Sequence, residues 1–335
     1  MRITRRAATT GMVSMAISAQ AIAEILGQAR VAQSSSSRLS VYGAKMAVEL
    51  GPLHLAVRRL YGPDATVNHG GVVNLVDEGR LADVASNGET QTLRASVKGP
   101  DMRILMTVAE GHYPVIARRS AGISSLADLK GKRVLSYRHT TAGYFLHKML
   151  KTVGLTLDDV TIVQTPLGEV GTVVSNREVD AIAIWEPDSE QALRALRGIG
   201  EDVIIFSGQG VYHERYNLCT TADALADPAK RREIVTFTRT VMDVVADINR
   251  NPEVAAEAQA AVAKSGGLYT VEEVALGWPN VRFVASFDET LLDVLAEEDV
   301  WLAAEEKRQP RSREQLARLI DRSVYDEAKA LPART

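Results

Sequence analysis

Short apolar runs alternate with polar, glycine-marked turns and with longer stretches whose apolar residues recur at helical spacing. The rhythm is clearest over residues 122–154, GISSLADLKGKRVLSYRHTTAGYFLHKMLKTVG. Ser125 and Asp128 have the spacing of a capping box ahead of a short helical turn, Lys130-Gly131-Lys132 punctuates it, and residues 133–137 read as a strand. His139-Thr140-Thr141 then opens a helix. Phe145, Leu146, Met149, Leu150 and Val153 recur at its period, and Gly154 stands where a C′ glycine belongs. In a parallel α/β sheet ligands collect beyond the carboxyl ends of strands, where a helix N-terminus offers free N–H groups to anions. Arg138, His139, Thr140 and Thr141 are therefore candidate ligand contacts.

The same grammar extends in both directions. Strands are expected at 39–42, 65–67 and 103–108, with a helix through Leu60 and a helix and strand over 72–85. Asn87, Thr90 and Gln91 form a second convergence of polar groups ahead of a helix, with Glu89 among them. That carboxylate repels an anion or holds an amino group. Further on, residues 160–164 form a strand, a helix starts at 167, and the apolar run 179–185 ends in Trp-Glu-Pro. Trp185 offers a flat wall and an N–H donor, or packs in its own core; Glu186 contacts the ligand or pairs with a base such as Arg138. Strands at 203–206 and 217–221 flank Arg215, whose guanidinium either grips an acidic ligand or forms a salt bridge. The remainder reads as helices at 229–249, 252–264, 271–276, 288–305 and 312–328, with Pro228 and Pro252 at first turns.

Composition places this pattern. The chain has 335 residues, 46% of them hydrophobic, enough for two packed lobes. Arg2, Arg5 and Arg6 precede an apolar run from 11 to 23 and a serine spacer at 34–37, which is the pattern of a signal peptide over 1–33. Arg5-Arg6 permits the twin-arginine route, although the bulky apolar residue usual after that pair is missing. Removing this segment takes four of 39 basic and one of 42 acidic residues, leaving 35 against 41, a net charge of −6. No basic tract points to nucleic acid, and no later run reaches the length of a membrane span. The single Cys219 excludes an intramolecular disulfide. Phosphate loops, nucleophile elbows, paired cysteines and histidines at metal-ligand spacing are missing, so the expectation is no enzyme, no metal and no cofactor.

The segment I-x-S-L-A-D-L-K-G-K-x-V with its threonine-rich turn, together with the strand ending in Trp-Glu-Pro, resembles the ABC-transporter solute-binding proteins of the nitrate, sulfonate and taurine type, which share a fold with thiamine-pyrimidine synthases. The resemblance runs over about residues 39–328. It implies an α/β, two-lobed periplasmic-binding-protein fold of type II with two hinge strands: lobe 1 from 34–115 plus 219–335, lobe 2 from 116–218. It further implies a turn after the first strand that faces the ligand, nominating Lys45 and Met46 with Glu49 nearby, and a hinge that puts His112 at the cleft mouth. The implied protein is a periplasmic monomer that captures a small, acidic organic solute and hands it to an inner-membrane ABC permease. A binder of a thiamine-pyrimidine precursor, a synthase-like protein or a ligand sensor are the alternatives; synthases of this fold carry a cysteine-rich iron motif, which one cysteine cannot supply.

Overall fold

The computed structural model describes residues 38–333 except Met46, Glu78 and Pro100. The expected signal peptide at 1–33 and the candidate Met46 thus lie outside the described residues. β1 (Val41–Gly43) leads through a tight turn at Val48–Leu50 into α1 (Gly51–Tyr61). Gly51-Pro52 starts this helix, because a first-turn proline lacks only an N–H that has no helical partner. β2 (Asn68–His69) comes later than the apolar pattern indicates: Ala65 and Val67 are buried, and the parallel ladder with β1 sets Tyr42 opposite Asn68. Next come β3 (Val84–Gly88), α2 (Glu89–Lys98), β4 (Met102–Gly111) and β5 (Pro114–Arg118).

The segment that anchored the sequence reading folds largely as expected. The capping box at Ser125 and Asp128 is present, β6 (Arg133–Leu135) follows, and α3 (Thr141–Lys151) begins at the threonines. Gly154 takes a φ of 73°, closing the helix end with Leu155 N–H donating to the Leu150 carbonyl. β7 (Thr161–Val163), α4 (Val170–Ser175), β8 (Ala181–Ala183), α5 (Asp188–Gly198) and β9 (Val203–Ser207) complete this part. The chain returns through β10 (Glu214–Thr221) to α6 (Ala222–Ala226), α7 (Pro228–Arg250), α8 (Pro252–Gly266) and α9 (Val271–Gly277). β11 (Val281–Ser286) and α10 (Leu291–Glu305) lead to α11 (Arg313–Ala317) and α12 (Ser323–Ala330).

Two further features depart from the pattern. VRFVAS forms strand β11 against β4, where only helices were expected. The single helix expected over 312–328 is broken, because Ile320 docks beside β4: Ile104 N–H donates to the Leu319 carbonyl and Asp321 N–H to the Ile104 carbonyl.

The strands form two sheets, β11-β4-β10-β3-β1-β2 and β7-β6-β8-β5-β9, giving the mixed α/β architecture that the rhythm implied. The chain passes between them twice. β4 ends at Gly111 and β5 starts at Pro114, while β9 pairs Ser207 with Pro114 and β10 pairs Glu214 with Gly111, so both crossings lie side by side. One face of the six-stranded sheet packs on α1, α7, α8 and α12; the other continues into a core shared with the five-stranded sheet, α3 and α10, through Tyr113, Phe145, Leu295 and Leu302. A third core lies under α4 and α5.

Candidate functional site

Between the two sheets lies a cavity of about 310 Å³. From the six-stranded sheet it takes Lys45, Glu49, Asn87 and Gln91, carried by the turns after β1 and β3 and by α2; Gly70, Val72 and Val73 add an apolar edge. From the five-stranded sheet it takes Thr140 and Thr141 at the start of α3 and Trp185 beyond β8. Glu214 and Tyr216, on the first turn of the returning strand, complete it. Strand ends and helix starts meet here because successive βα units aim their carboxyl-end turns the same way.

The sequence candidates divide into two groups. Lys45, Asn87, Gln91, Thr140, Thr141 and Trp185 come together around the cavity. Thr90 points away, its hydroxyl donating to Glu298. Arg138 reaches α10, where Nε donates to Glu305 at 2.5 Å, and also pairs with Asp158 at 2.8 Å. His139 contributes its carbonyl to Arg94 at 3.2 Å. His112 lies on the crossing with its ring 5.8 Å from that of His213. Glu186 is 1% exposed and accepts from Ser189 and Asn280, and Arg215 pairs with Asp288 at 2.5 Å. None of these six lines the cavity; Thr90, Arg138, Glu186 and Arg215 have found closer partners in the protein, while the His139 ring is turned away with its Nδ1 buried and unpartnered.

The start of α3 is likewise already occupied. The Thr140 hydroxyl donates to the Tyr137 carbonyl at 2.7 Å, and those of Thr141 and Tyr113 turn to the Glu214 carboxyl. Gly143 lets the first turn of α3 close down: a Cβ there would overlap the Arg138 carbonyl. Gly88 does the same for Glu214, whose Oε1 stands where a side chain would be. The group that meets this helix start is thus the protein's own Glu214 carboxyl.

Glu214 heads a buried string of acids that the sequence reading largely missed. Burial first, then Glu49 beside it, push Glu214 well above the ordinary carboxylate value. Burial raises Glu49 to about 7; its Oε1 faces no donor, and its neighbour is the Glu214 carboxyl. Two acids in contact without a base between them share a proton at neutral pH. Behind them Glu89, raised by burial and by Glu214 to about 8, accepts from Tyr212 at 2.5 Å and from Arg215 N–H at 2.8 Å. Glu298, fully buried, is also pushed up by burial and by Glu89. No ion pair among the described residues reaches these four carboxyls. Glu214 had one available signal, the period-two spacing of Tyr212, Glu214 and Tyr216 across the start of a strand that is buried throughout.

The Trp185 ring lies 5.3 Å from that of Tyr137 at a tilt of 32° and lines the cavity. The two sides are held around it by cross-contacts: Lys148 to Glu297 at 2.6 Å on α10, Asn280 to Glu186 at 2.7 Å, and Arg194 to Glu272 at 3.2 Å on α9.

A profile described as NMT1/THI5 like matches residues 65–255, more than half of the chain, from the approach to β2 to the start of α8. The chain belongs to this family. A curated relative, a putative binding protein of Brucella abortus, is 30% identical over 89 residues, which cover 24% of this chain and 28% of that protein. The fold is shared more widely. The periplasmic aliphatic sulphonate-binding protein of Escherichia coli superposes with a TM-score of 0.63 at 18% identity, covering 86% of this chain and 98% of the other. The periplasmic nitrate-binding protein of Synechocystis PCC 6803 gives 0.63 at 13% identity, covering 87% and 88%. The family profile begins after Lys45 and Glu49, so that wall of the cavity lies outside the matched residues.

Proposed function

We propose that this protein is the extracytoplasmic solute-binding component of an ABC importer, closing its two lobes on a small organic solute and delivering it to a membrane permease. In this reading the six-stranded sheet with the helices after β10 is one lobe, the five-stranded sheet is the other, and the paired crossings at 112–113 and 208–213 are the hinge. The observation that carries it is the cavity itself, of ligand size, with an aromatic wall and few polar groups converging from two sheets.

The floor governs which solute. Nitrate and sulfonate groups only accept hydrogen bonds, and Glu49 Oε1 is an acceptor still lacking a donor. With one proton shared between two carboxyls, Glu49 and Glu214 hold more acceptor than donor sites, so a solute that presents N–H groups satisfies them, whereas an acceptor-only anion brings them no donor. We therefore replace the acidic head group expected from the helix start with an amino or amidine group, and place any acidic or carbonyl end of the solute toward Lys45, Asn87 and Gln91. Amino-substituted heterocycles, flat enough for Trp185, and zwitterionic aminosulfonates both meet these requirements.

A thermal-shift screen tests the reading with three sets of compounds: aminopyrimidines and amidines, aminosulfonates, and plain sulfonates with nitrate. A compound at a hundredfold excess over its Kd adds about 2.7 kcal/mol to the folded state. Hits confined to N–H-bearing compounds, and lost in Glu49→Gln, support the assignment. Hits among plain anions that survive in Glu49→Gln leave a binding protein but overturn the head group.

A further inference from the structure

A second, rear cavity of about 370 Å³, which shares no lining residue with the cleft, lies between α1, the approach to β2 and the end of α8. Its chemistry is the reverse of the cleft floor. His54 and Arg58 from α1, His69 from β2 and Lys264 from α8 line it, and Asp64 at the exposed rim is its one carboxylate among the lining residues. Arg58 forms no ion pair among the described residues, and its Nε is buried without an acceptor. His54 is 3% exposed, and after burial the charges it feels most are those of Arg58 and His69, both bases. His69 Nε2 lies 3.1 Å from the Ser265 carbonyl, which fixes the ring at the mouth.

The Arg58 charge beside His54 is relieved by no ion pair among the described residues, and the guanidinium Nε is left facing no acceptor. An acceptor-rich anion removes both costs at once. We propose that this rear cavity is a binding site for a small tetrahedral oxyanion of the phosphate or sulfate class, held by Arg58 and Lys264 and hydrogen-bonded by an imidazole N–H of His54, with the His69 ring beside it at the mouth. The guanidinium supplies a directional fork and the lysine a movable point charge, the usual division between these side chains. The site is independent of the solute cleft, although the segment that forms its wall at 66–69 continues into Gly70, Val72 and Val73 of the cleft edge.

The test is a titration of the full chain in phosphate-free buffer, following the histidine side-chain resonances by NMR while inorganic phosphate or sulfate replaces chloride at constant ionic strength. The expected result is a saturable shift of the His54 and His69 signals by about 50 mM, a concentration that fills even a weak millimolar site. Arg58→Gln should weaken this response about tenfold and Lys264→Gln less, since one charge-assisted hydrogen bond is worth about that factor. Trp185→Ala should leave it intact. Equal shifts with chloride, or none with either oxyanion, overturn the proposal. So does a response that disappears with Trp185, which moves the anion to the cleft. Retention on phosphatidylglycerol vesicles without any response to free phosphate or sulfate likewise overturns it, by making the occupant a lipid headgroup.

Discussion

The cleft floor and the rear cavity both bury ionisable groups, and they differ in sign. In the floor, burial suppresses acids: Glu49 rises from 4.5 to about 7 and Glu89 to about 8. In the rear cavity it suppresses a base, and His54 falls from 6.5 to about 4. The physical cause is one, the cost of keeping a charge away from water, yet the consequences for stability run in opposite directions. Folded Glu49 keeps a proton that the unfolded chain releases above pH 4.5, so its contribution is fully present below 4.5 and is lost as pH rises to about 7. Unfolded His54 takes up a proton below 6.5 that the folded protein refuses until about 4, so its contribution is present above 6.5 and is lost as pH falls to about 4. Each region therefore marks one flank of the stability profile.

The largest expected effect breaks the alkaline flank. Between about pH 5 and 8 the wild type should lose roughly 2–3 kcal/mol more than Glu49→Gln, the value of a pKa displaced by some two units. Urea unfolding at a series of pH values reads the slope directly. Parallel profiles for the two proteins would mean that Glu49 is ionised in the folded state as it is in the unfolded chain, and the shared proton of the floor would go with it. His54→Gln should act on the other flank, flattening the loss below about pH 6 by a similar or smaller amount. Phosphate, if it occupies the rear cavity, should also reduce this loss in the wild type, since an oxyanion lets the imidazole accept its proton.

How much of this was legible in the sequence depended on whether local spacing decided the outcome. The strand-turn-helix at 122–154 followed from capping spacing, helical period and a C′ glycine, all short-range signals, and the structure keeps every one. Thr140, Thr141 and Trp185 reached the cavity for the same reason, being fixed by the ends of their own elements. Arg138, Arg215 and Glu186 did not, because their roles are set by Glu305, Asp288 and Asn280, which come from far along the chain. Charged residue types announce a need for a partner without saying which partner meets it. Strand β11 is the opposite case: VRFVAS has a strand composition that was readable, and it was hidden only by the helices around it.

The apolar wall offers the next test. Trp185→Ala should weaken binding of the cleft solute by about tenfold or somewhat more, the loss of one partly buried aromatic face. Its effect on the melting temperature of the free protein should be small, because Trp185 is only half-buried. Calorimetry with the compound found by screening gives the affinity, and a drop confined to the free protein's stability would make Trp185 a packing residue rather than a wall.

The smallest expected effect separates the start of α3 from the floor. The Arg138 side chain is 33% exposed and bridges Glu305 and Asp158 at the periphery, so Arg138→Ala should cost no more than about 1 kcal/mol of stability, as surface pairs do. Solute affinity should stay within about twofold, a change worth less than half a kcal/mol. A guanidinium released from Glu305 could swing toward the threonines only by leaving two carboxylates for a helix end that Glu214 already fills. An affinity loss of tenfold in Arg138→Ala would therefore mean that this exchange does take place when solute binds. The acidic head group would then return to the start of α3, with Glu214 displaced from it, and the floor carboxyls would be left to stabilise the empty cleft.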